Sequence, residues 1–281
     1  MLAAALMWSS SGLFAKQAVF DDWSPEIRGP LFAFWRAVFA ALVLLPLIRR
    51  PRWSGHLVPL TLCFTLMSVT FMTAMARTTA GNAIWLQAVY PWWVFLLSVW
   101  LLRQPVVRRD LIPLAFGMLG VGLILYCELS RGQPAAGVAC GTAAGFFFAG
   151  VVILLWRLSS HDPAWLIALN HAVTAVALLP WIVHLGCWPS VKQLAVLAGF
   201  GVFQMAIPYV LLLRGLRAIS TQEAAAIGLL EPTLVPLWVY LAGLEVTAWW
   251  TIAGAGLILT GLVLRYVVFE LLVKPRGGEQ Q

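Results

Sequence analysis

Residues 78–102 read TTAGNAIWLQAVYPWWVFLLSVWLL and contain no aspartate, glutamate, lysine or arginine. An α-helix needs about 20 mainly apolar residues to cross the roughly 30 Å hydrocarbon layer of a membrane. The stretch is long enough to do so, and therefore predicts a transmembrane helix. Pro91 within it predicts a break or bend, because proline removes a backbone hydrogen-bond donor.

Apolar stretches of the same kind run through the whole chain. Hydrophobic residues make up 62% of the 281 positions and charged residues only 10%. Ordinary soluble domains have about 45–50% and about 25%, so a soluble protein is excluded. The sequence predicts an all-α integral membrane fold of ten transmembrane helices, over residues 1–20, 29–48, 57–77, 80–102, 110–127, 136–156, 163–184, 191–213, 221–243 and 248–269.

The opening stretch recurs 141 residues later in the chain. Pro91 recurs as Pro232, and alanine, valine, leucine and glycine pairs keep the same spacing. Because each half holds five predicted spans, an odd number, the second half must enter the membrane from the opposite side. We therefore predict two inverted five-helix repeats, residues 1–127 and 136–269, followed by a polar cytoplasmic tail over residues 270–281.

Lysine and arginine residues indicate how the predicted helices are oriented. With the N-terminus inside the cell, twelve of them fall in the inner loops and C-terminus, and five in the outer loops. The positive-inside rule therefore favours a multi-pass protein of the inner membrane with both termini in the cytoplasm. The net charge of +7 does not indicate nucleic-acid binding, because the basic residues lie at helix ends and not on one continuous face.

Several short motifs carry a resemblance to a known family. They are WSS at 8–10, FWRA at 34–37, EP at 231–232, GLE at 243–245 and a glycine-rich last helix that includes residues 252–261. In this order and spacing the motifs resemble the ten-helix EamA branch of the drug/metabolite transporter superfamily, across all ten predicted helices. The resemblance implies a transporter of a small organic metabolite, an amino acid or related compound, and export as its direction.

Arg36 lies near the middle of the second predicted helix, where a guanidinium is costly unless it meets water, a partner or a ligand. It either locks helices together through a permanent ion pair or carbonyl contact, or binds a substrate carboxylate or phosphate. Aligning Pro46 with Pro180 places Asn170 opposite Arg36 and His171 beside it. A lone histidine such as His171 is more often a hydrogen-bonded interior residue than a proton carrier.

Glu231 is the only acidic residue predicted to lie well inside a span, and Pro232 beside it favours a broken helix. Transporters place ligands at such breaks near the membrane midplane. A protonated or arginine-paired structural carboxyl is the alternative role for Glu231.

Most of the fifteen tryptophans must be interfacial anchors or packing residues. The predicted substrate-binding residues are Arg36, Glu231, Trp8, Tyr90, Asn170 and His171, where Trp8 and Tyr90 are the aromatic candidates.

Catalytic and metal-binding motifs are missing from the sequence. It has no HExxH, no P-loop and no histidine cluster, and its four cysteines lack disulfide or metal-ligand spacing. We therefore predict no enzyme activity, no cofactor and no metal. The predicted function is transport by alternating access, with the lipid bilayer and a small-molecule substrate as partners. Proton coupling, a homodimer, a passive permease or channel-like facilitator and, more remotely, an integral membrane enzyme stay open.

Overall fold

The computed structural model of the protein describes residues 2–100, 103, 111–131, 135–215 and 230–264, and within these ranges every regular element is helical. Six helices are long and apolar enough to cross a membrane, and shorter apolar helices accompany them. The all-α membrane fold is thereby confirmed. The prediction of ten helices depends in part on residues 104–110, 216–229 and 265–269, which lie outside the described residues, as does the predicted tail.

Thirteen α-helices make up the described part of the chain. They are α1 Leu2–Trp8, α2 Ser11–Ala15, α3 Pro25–Leu44, α4 Leu57–Arg77, α5 Ala80–Ala88, α6 Tyr90–Trp100, α7 Leu111–Ser130, α8 Ala135–Arg157, α9 Pro163–Leu185, α10 Val191–Gly201, α11 Ile207–Gly215, α12 Leu230–Leu241 and α13 Trp249–Val263. A π-helical turn, Val202–Ala206, joins α10 to α11. The prediction of a helix over residues 57–77 is confirmed to the residue.

The first predicted helix, residues 1–20, is wrong as a continuous element. It breaks between α1 and α2, where the Ser9 hydroxyl donates to the Leu6 carbonyl at 2.7 Å and the Ser10 hydroxyl donates to the Met7 carbonyl at 2.6 Å. Serine side chains that bond nearby carbonyls compete with the regular helix pattern.

Two other predicted helices change at or near a proline. Helix α3 begins at Pro25 and not at residue 29, because proline suits the first turn of a helix, where its missing N–H has no partner to lose. The predicted helix over residues 80–102 is interrupted at Val89, immediately before Tyr90. The expected break at the proline of this stretch is therefore present.

Three glycines on one face of α8 allow close helix packing. A Cβ added to Gly137 would lie 3.0 Å from the Arg77 backbone, and one added to Gly141 would lie 2.9 Å from the Leu86 side chain. One added to Gly145 would lie 3.0 Å from the Leu86 carbonyl oxygen. Helix α8 therefore packs directly on α5 and on the end of α4, as helices with small interface residues do in membranes.

Helix α3 occupies the centre of the bundle, since it packs against α4, α9 and α10. The side chains of residues 31–34 are buried, and so is Arg36. Gly201, the last residue of α10, permits this close approach, because an added Cβ would lie 2.8 Å from the Arg36 carbonyl oxygen. The sequence therefore places Arg36 on a helix whose central residues are largely buried.

The loops gather at two ends of the bundle. At one end, which we call the Asp162 end, the Asp162 carboxylate accepts hydrogen bonds from the backbone N–H groups of Arg49 and Arg50. At the other, the Glu245 end, Lys16 forms an ion pair with Glu245. Helix α3 connects the two ends, and its 20 residues give it a length of about 30 Å.

Candidate functional site

A cavity of about 250 Å³ lies inside the bundle. Apolar side chains, mostly from α4 and α8, form much of its wall. Side chains that can form hydrogen bonds come from separate elements of both halves of the chain: Trp8, Arg36, Gln87, Asn170, Gln204, Tyr209 and Glu231. A cavity of this kind, apolar with a few convergent polar groups, is the usual form of a small-molecule site.

A larger groove of about 550 Å³ lies between α12 and α13. Its described lining holds no charged side chain, and the rim residues Leu237, Tyr240 and Ile252 are exposed. In a membrane, such an apolar groove on the outside of the bundle faces lipid chains. The functional site is therefore assigned to the smaller, charged cavity.

Arg36 is the most deeply buried charge in the described part of the chain, with 2% of its surface exposed. Its Nη2 donates to the Ser68 hydroxyl at 3.0 Å, and its Cζ lies 5.3 Å from the centre of the Phe200 ring. Among the described residues no carboxylate oxygen lies within 4.0 Å of the guanidinium nitrogens. Arg36 and Glu231 therefore line one cavity without forming an ion pair.

An edge-to-face series of rings connects three cavity residues, Trp8, Tyr209 and Phe64, through His171. The ring centres of Trp8 and Tyr209 are 5.3 Å apart, and those of Tyr209 and His171 are 6.0 Å apart. His171 then packs against Phe64 at 5.0 Å. His171 is outside the cavity wall, and neither of its ring nitrogens has a hydrogen-bond partner among the residues described.

Tyr90 also lies behind the cavity wall and not in it. Its ring centre is 4.5 Å from that of Phe148, and Phe148 faces the cavity. Of the six predicted site residues, the structure thus brings four into one wall and leaves His171 and Tyr90 one layer behind. The four are Trp8, Arg36, Asn170 and Glu231.

Gln204 is a cavity residue that the sequence reasoning missed. It is the one polar residue in the run VFQMAI at 202–207, and this amide in an otherwise apolar stretch was the available signal. Its Nε2 donates to the Trp8 carbonyl at 3.2 Å. The Oε1 of Gln204 and the Oδ1 of Asn170 are buried and accept no hydrogen bond from the described residues.

A second polar cluster connects the two halves of the chain at the Glu245 end. Lys16 Nζ lies 2.6 Å from Glu245 Oε1, and Glu245 Oε2 accepts a hydrogen bond from the Ala80 backbone at 2.8 Å. Lys16 also donates to the Thr78 carbonyl. Glu245 thus caps the start of α5 from the opposite half of the chain.

Glu128 extends this inter-half cluster. Its Oε1 accepts hydrogen bonds from Asn82 at 2.7 Å and from Trp250 at 2.9 Å, and Thr251 donates to Asn82 at 2.7 Å. The sequence placed Glu128 outside a helix ending at residue 127, but α7 continues to Ser130 and buries the carboxylate. Glu128 thus lies in the last turn of α7, at the Glu245 end and not in the middle of a span.

The fold and the site together define a multi-pass helical membrane protein that encloses a charged cavity. The chain belongs to the EamA-like transporter family, whose sequence profile matches residues 1–126 and again residues 135–267. The protein is therefore a membrane transporter, and the resemblance drawn from its motifs is confirmed.

Two further proteins are similar to this chain. The chain is 28% identical over 238 residues to an uncharacterized transporter of Archaeoglobus fulgidus, covering 83% of this chain and 85% of the relative. One crystal structure aligns with 97% of this chain and 96% of its own length, with a TM-score of 0.65 and 16% identity. At that identity the second likeness shows the fold alone.

The separation of Arg36 from Glu231 predicts how their substitutions combine. We expect Arg36→Met and Glu231→Gln each to change the free energy of unfolding by about 1–3 kcal/mol. Because no ion pair joins the two residues, the double variant should be less stable than either single variant, although the shared cavity can couple the two effects. Denaturation of the purified protein measures all three values. A permanent pair would behave differently: each single variant would lose about 3–5 kcal/mol and the double variant would recover.

Proposed function

We propose that the protein exports a small zwitterionic metabolite, an amino acid or a related compound, across the inner membrane by alternating access. The observation that supports this most is the pair of opposite charges, Arg36 and Glu231, which line one cavity without an ion pair between them. Two charges held apart inside a low-dielectric site are complementary to a solute that carries both signs.

We infer which cavity residue binds each charged group of the solute from the chemistry of the side chains in the wall. The Arg36 guanidinium is a donor suited to a carboxylate, and Glu231 serves the solute amine or a coupling proton. Trp8 and Tyr209 offer ring faces and edges to an apolar side chain. A volume of about 250 Å³ lies just below the roughly 300–1,000 Å³ of sites for drug-sized ligands, so the solute is small.

Alternating access is supported by the unequal ends of the bundle. The inter-half cluster holds the halves together at the Glu245 end. The cavity is lined by residues 148–155 of α8 and residues 167–170 of α9, which lie towards the Asp162 end of those helices. We infer that this conformation is closed at the Glu245 end, and that the inverted five-helix repeats rock to open that end in turn.

Export as the direction of transport is taken from the family resemblance, and the orientation of the two ends decides which side of the membrane the cavity faces in this conformation. The positive-inside rule favours a cytoplasmic Asp162 end, so that the cavity would load from the cytoplasm and release at the Glu245 end.

With the native cysteines replaced, a cysteine at position 52 should react with an impermeant maleimide only after cells are permeabilised. Reaction in intact cells would reverse the orientation.

A transport assay tests the proposed solute class. Amino acids that bind should stabilise the purified protein, by about 2.7 kcal/mol at 100 times the dissociation constant. The same compounds should be carried into proteoliposomes.

Trp8→Ala should lower the affinity for the transported amino acid about tenfold, because a lost ring contact worth about 1.4 kcal/mol has that effect.

Trp156→Ala is the matched control for Trp8→Ala. Trp156 is also in a helix, but 73% of its surface is exposed, so its loss should leave transport unchanged. If no amino acid shifts the melting temperature or enters proteoliposomes, the proposed solute class is wrong.

The inter-half cluster provides a test of alternating access itself. Cysteines at positions 16 and 245, joined by a short bismaleimide in a background without native cysteines, should stop transport, because the halves could no longer separate at that end. Cysteines at positions 16 and 78 are the matched control, since both lie in the first half and Lys16 contacts the Thr78 carbonyl. Full transport by the cross-linked 16/245 protein would contradict the mechanism.

A further inference from the structure

The geometry of the cavity points to a specificity device that rests on the proposed function. We propose that the amide oxygens of Gln204 and Asn170 select solutes with an unsubstituted ammonium group, and reject solutes whose nitrogen is absent or fully methylated. Both residues line the cavity, and each is only 2% exposed. Neither oxygen has a hydrogen-bond partner among the described residues.

The orientation of the Gln204 amide is fixed by its nitrogen. Nε2 donates to the carbonyl of Trp8 at 3.2 Å, at the point where α1 ends. An amide that points its nitrogen at a carbonyl must turn its oxygen elsewhere, because the nitrogen is the donor and the oxygen only accepts. The contact with Trp8 therefore accounts for the position of the Gln204 nitrogen, but it gives Oε1 no structural role.

The backbone around Gln204 is also unusual. The residue lies at the middle of the π-helical turn Val202–Ala206, between α10 and α11. Single π-helical turns are rare, and they occur frequently at functional sites. Such a turn changes the direction of a side chain relative to a regular α-helix, and here the side chain that it carries is the one amide of the segment.

Unused oxygens in the interior are costly. A buried acceptor without a partner has lost its hydrogen bonds to water and gained none from the protein. A ligand whose N–H groups reach these oxygens offsets that cost. The cavity therefore favours a solute that donates hydrogen bonds at this position.

The numbers of donors and acceptors indicate which solute group fits. The cavity has the carboxylate of Glu231 and two amide oxygens as acceptors, and a primary ammonium group has three N–H donors. A trimethylated nitrogen keeps the positive charge but offers no N–H. A deaminated acid keeps only the carboxylate for Arg36. Both analogues would leave the amide oxygens unpaired.

A ratio of two transport efficiencies tests the proposal. Amino acids, their deaminated acids and their N-trimethyl derivatives are compared as substrates of the wild type, Gln204→Met and Asn170→Leu in proteoliposomes. We expect the wild type to prefer the free amine, and the preference to fall at least about tenfold in either variant, because a site built to bond an N–H rejects analogues without it. A variant that yields less folded protein has lower transport efficiencies for all substrates by the same factor, and that factor cancels in the ratio.

Gln193→Met is the matched control. Gln193 is an equally buried glutamine at the Glu245 end, where its oxygen accepts from the Ser190 backbone and its nitrogen donates to Val19 and Asp22. This change should leave the preference for the free amine as it is in the wild type. An unchanged preference in Gln204→Met and Asn170→Leu would overturn the specificity device and leave the proposed function intact. Absence of any amino-acid transport by the wild type would overturn both.

Discussion

The buried guanidinium of Arg36 is the constraint on which the rest of the structure depends. A charge near the middle of a membrane is costly unless polar groups or water surround it. The bundle meets this requirement with the Ser68 hydroxyl, the face of Phe200 and the few polar groups of the cavity, and not with a described carboxylate at ion-pair distance. Helix α3 must therefore lie at the centre, and Gly201 must be small enough to let α10 reach it.

The charged residues of the inter-half cluster, at the Glu245 end of the bundle, follow a different pattern. Lys16, Glu128 and Glu245 are satisfied by partners in the opposite half of the chain or at the helix ends beside it. An ion pair and several hydrogen bonds thus connect the halves at the Glu245 end. Weakly paired groups line the cavity between the halves. A carrier needs this division, because the closed end must be stable while the site must remain free for a solute.

Much of the fold could be predicted from the sequence, because membrane spanning depends on local apolar length. The helix over residues 57–77 is an example. Arg36 and Asn170 were predicted to lie at matching depth by aligning Pro46 with Pro180, and both line the cavity. The break at Ser9 was not predicted, because it depends on hydroxyls that bond their own helix. Gln204 and Glu128 were missed because their roles arise from contacts across the chain that hydropathy does not record.

The central claim is that one charged cavity is exposed to one side of the membrane at a time. Counterflow measures this most directly. Proteoliposomes are preloaded with an unlabelled amino acid that stabilises the protein, diluted into a trace of the labelled compound, and sampled over time. The account predicts a transient accumulation of label above its equilibrium level. A binding site that releases unlabelled solute outside returns to the inside carrying labelled solute, while unlabelled solute competes for the way out. A monotonic rise to equilibrium, as a passive channel gives, would contradict it.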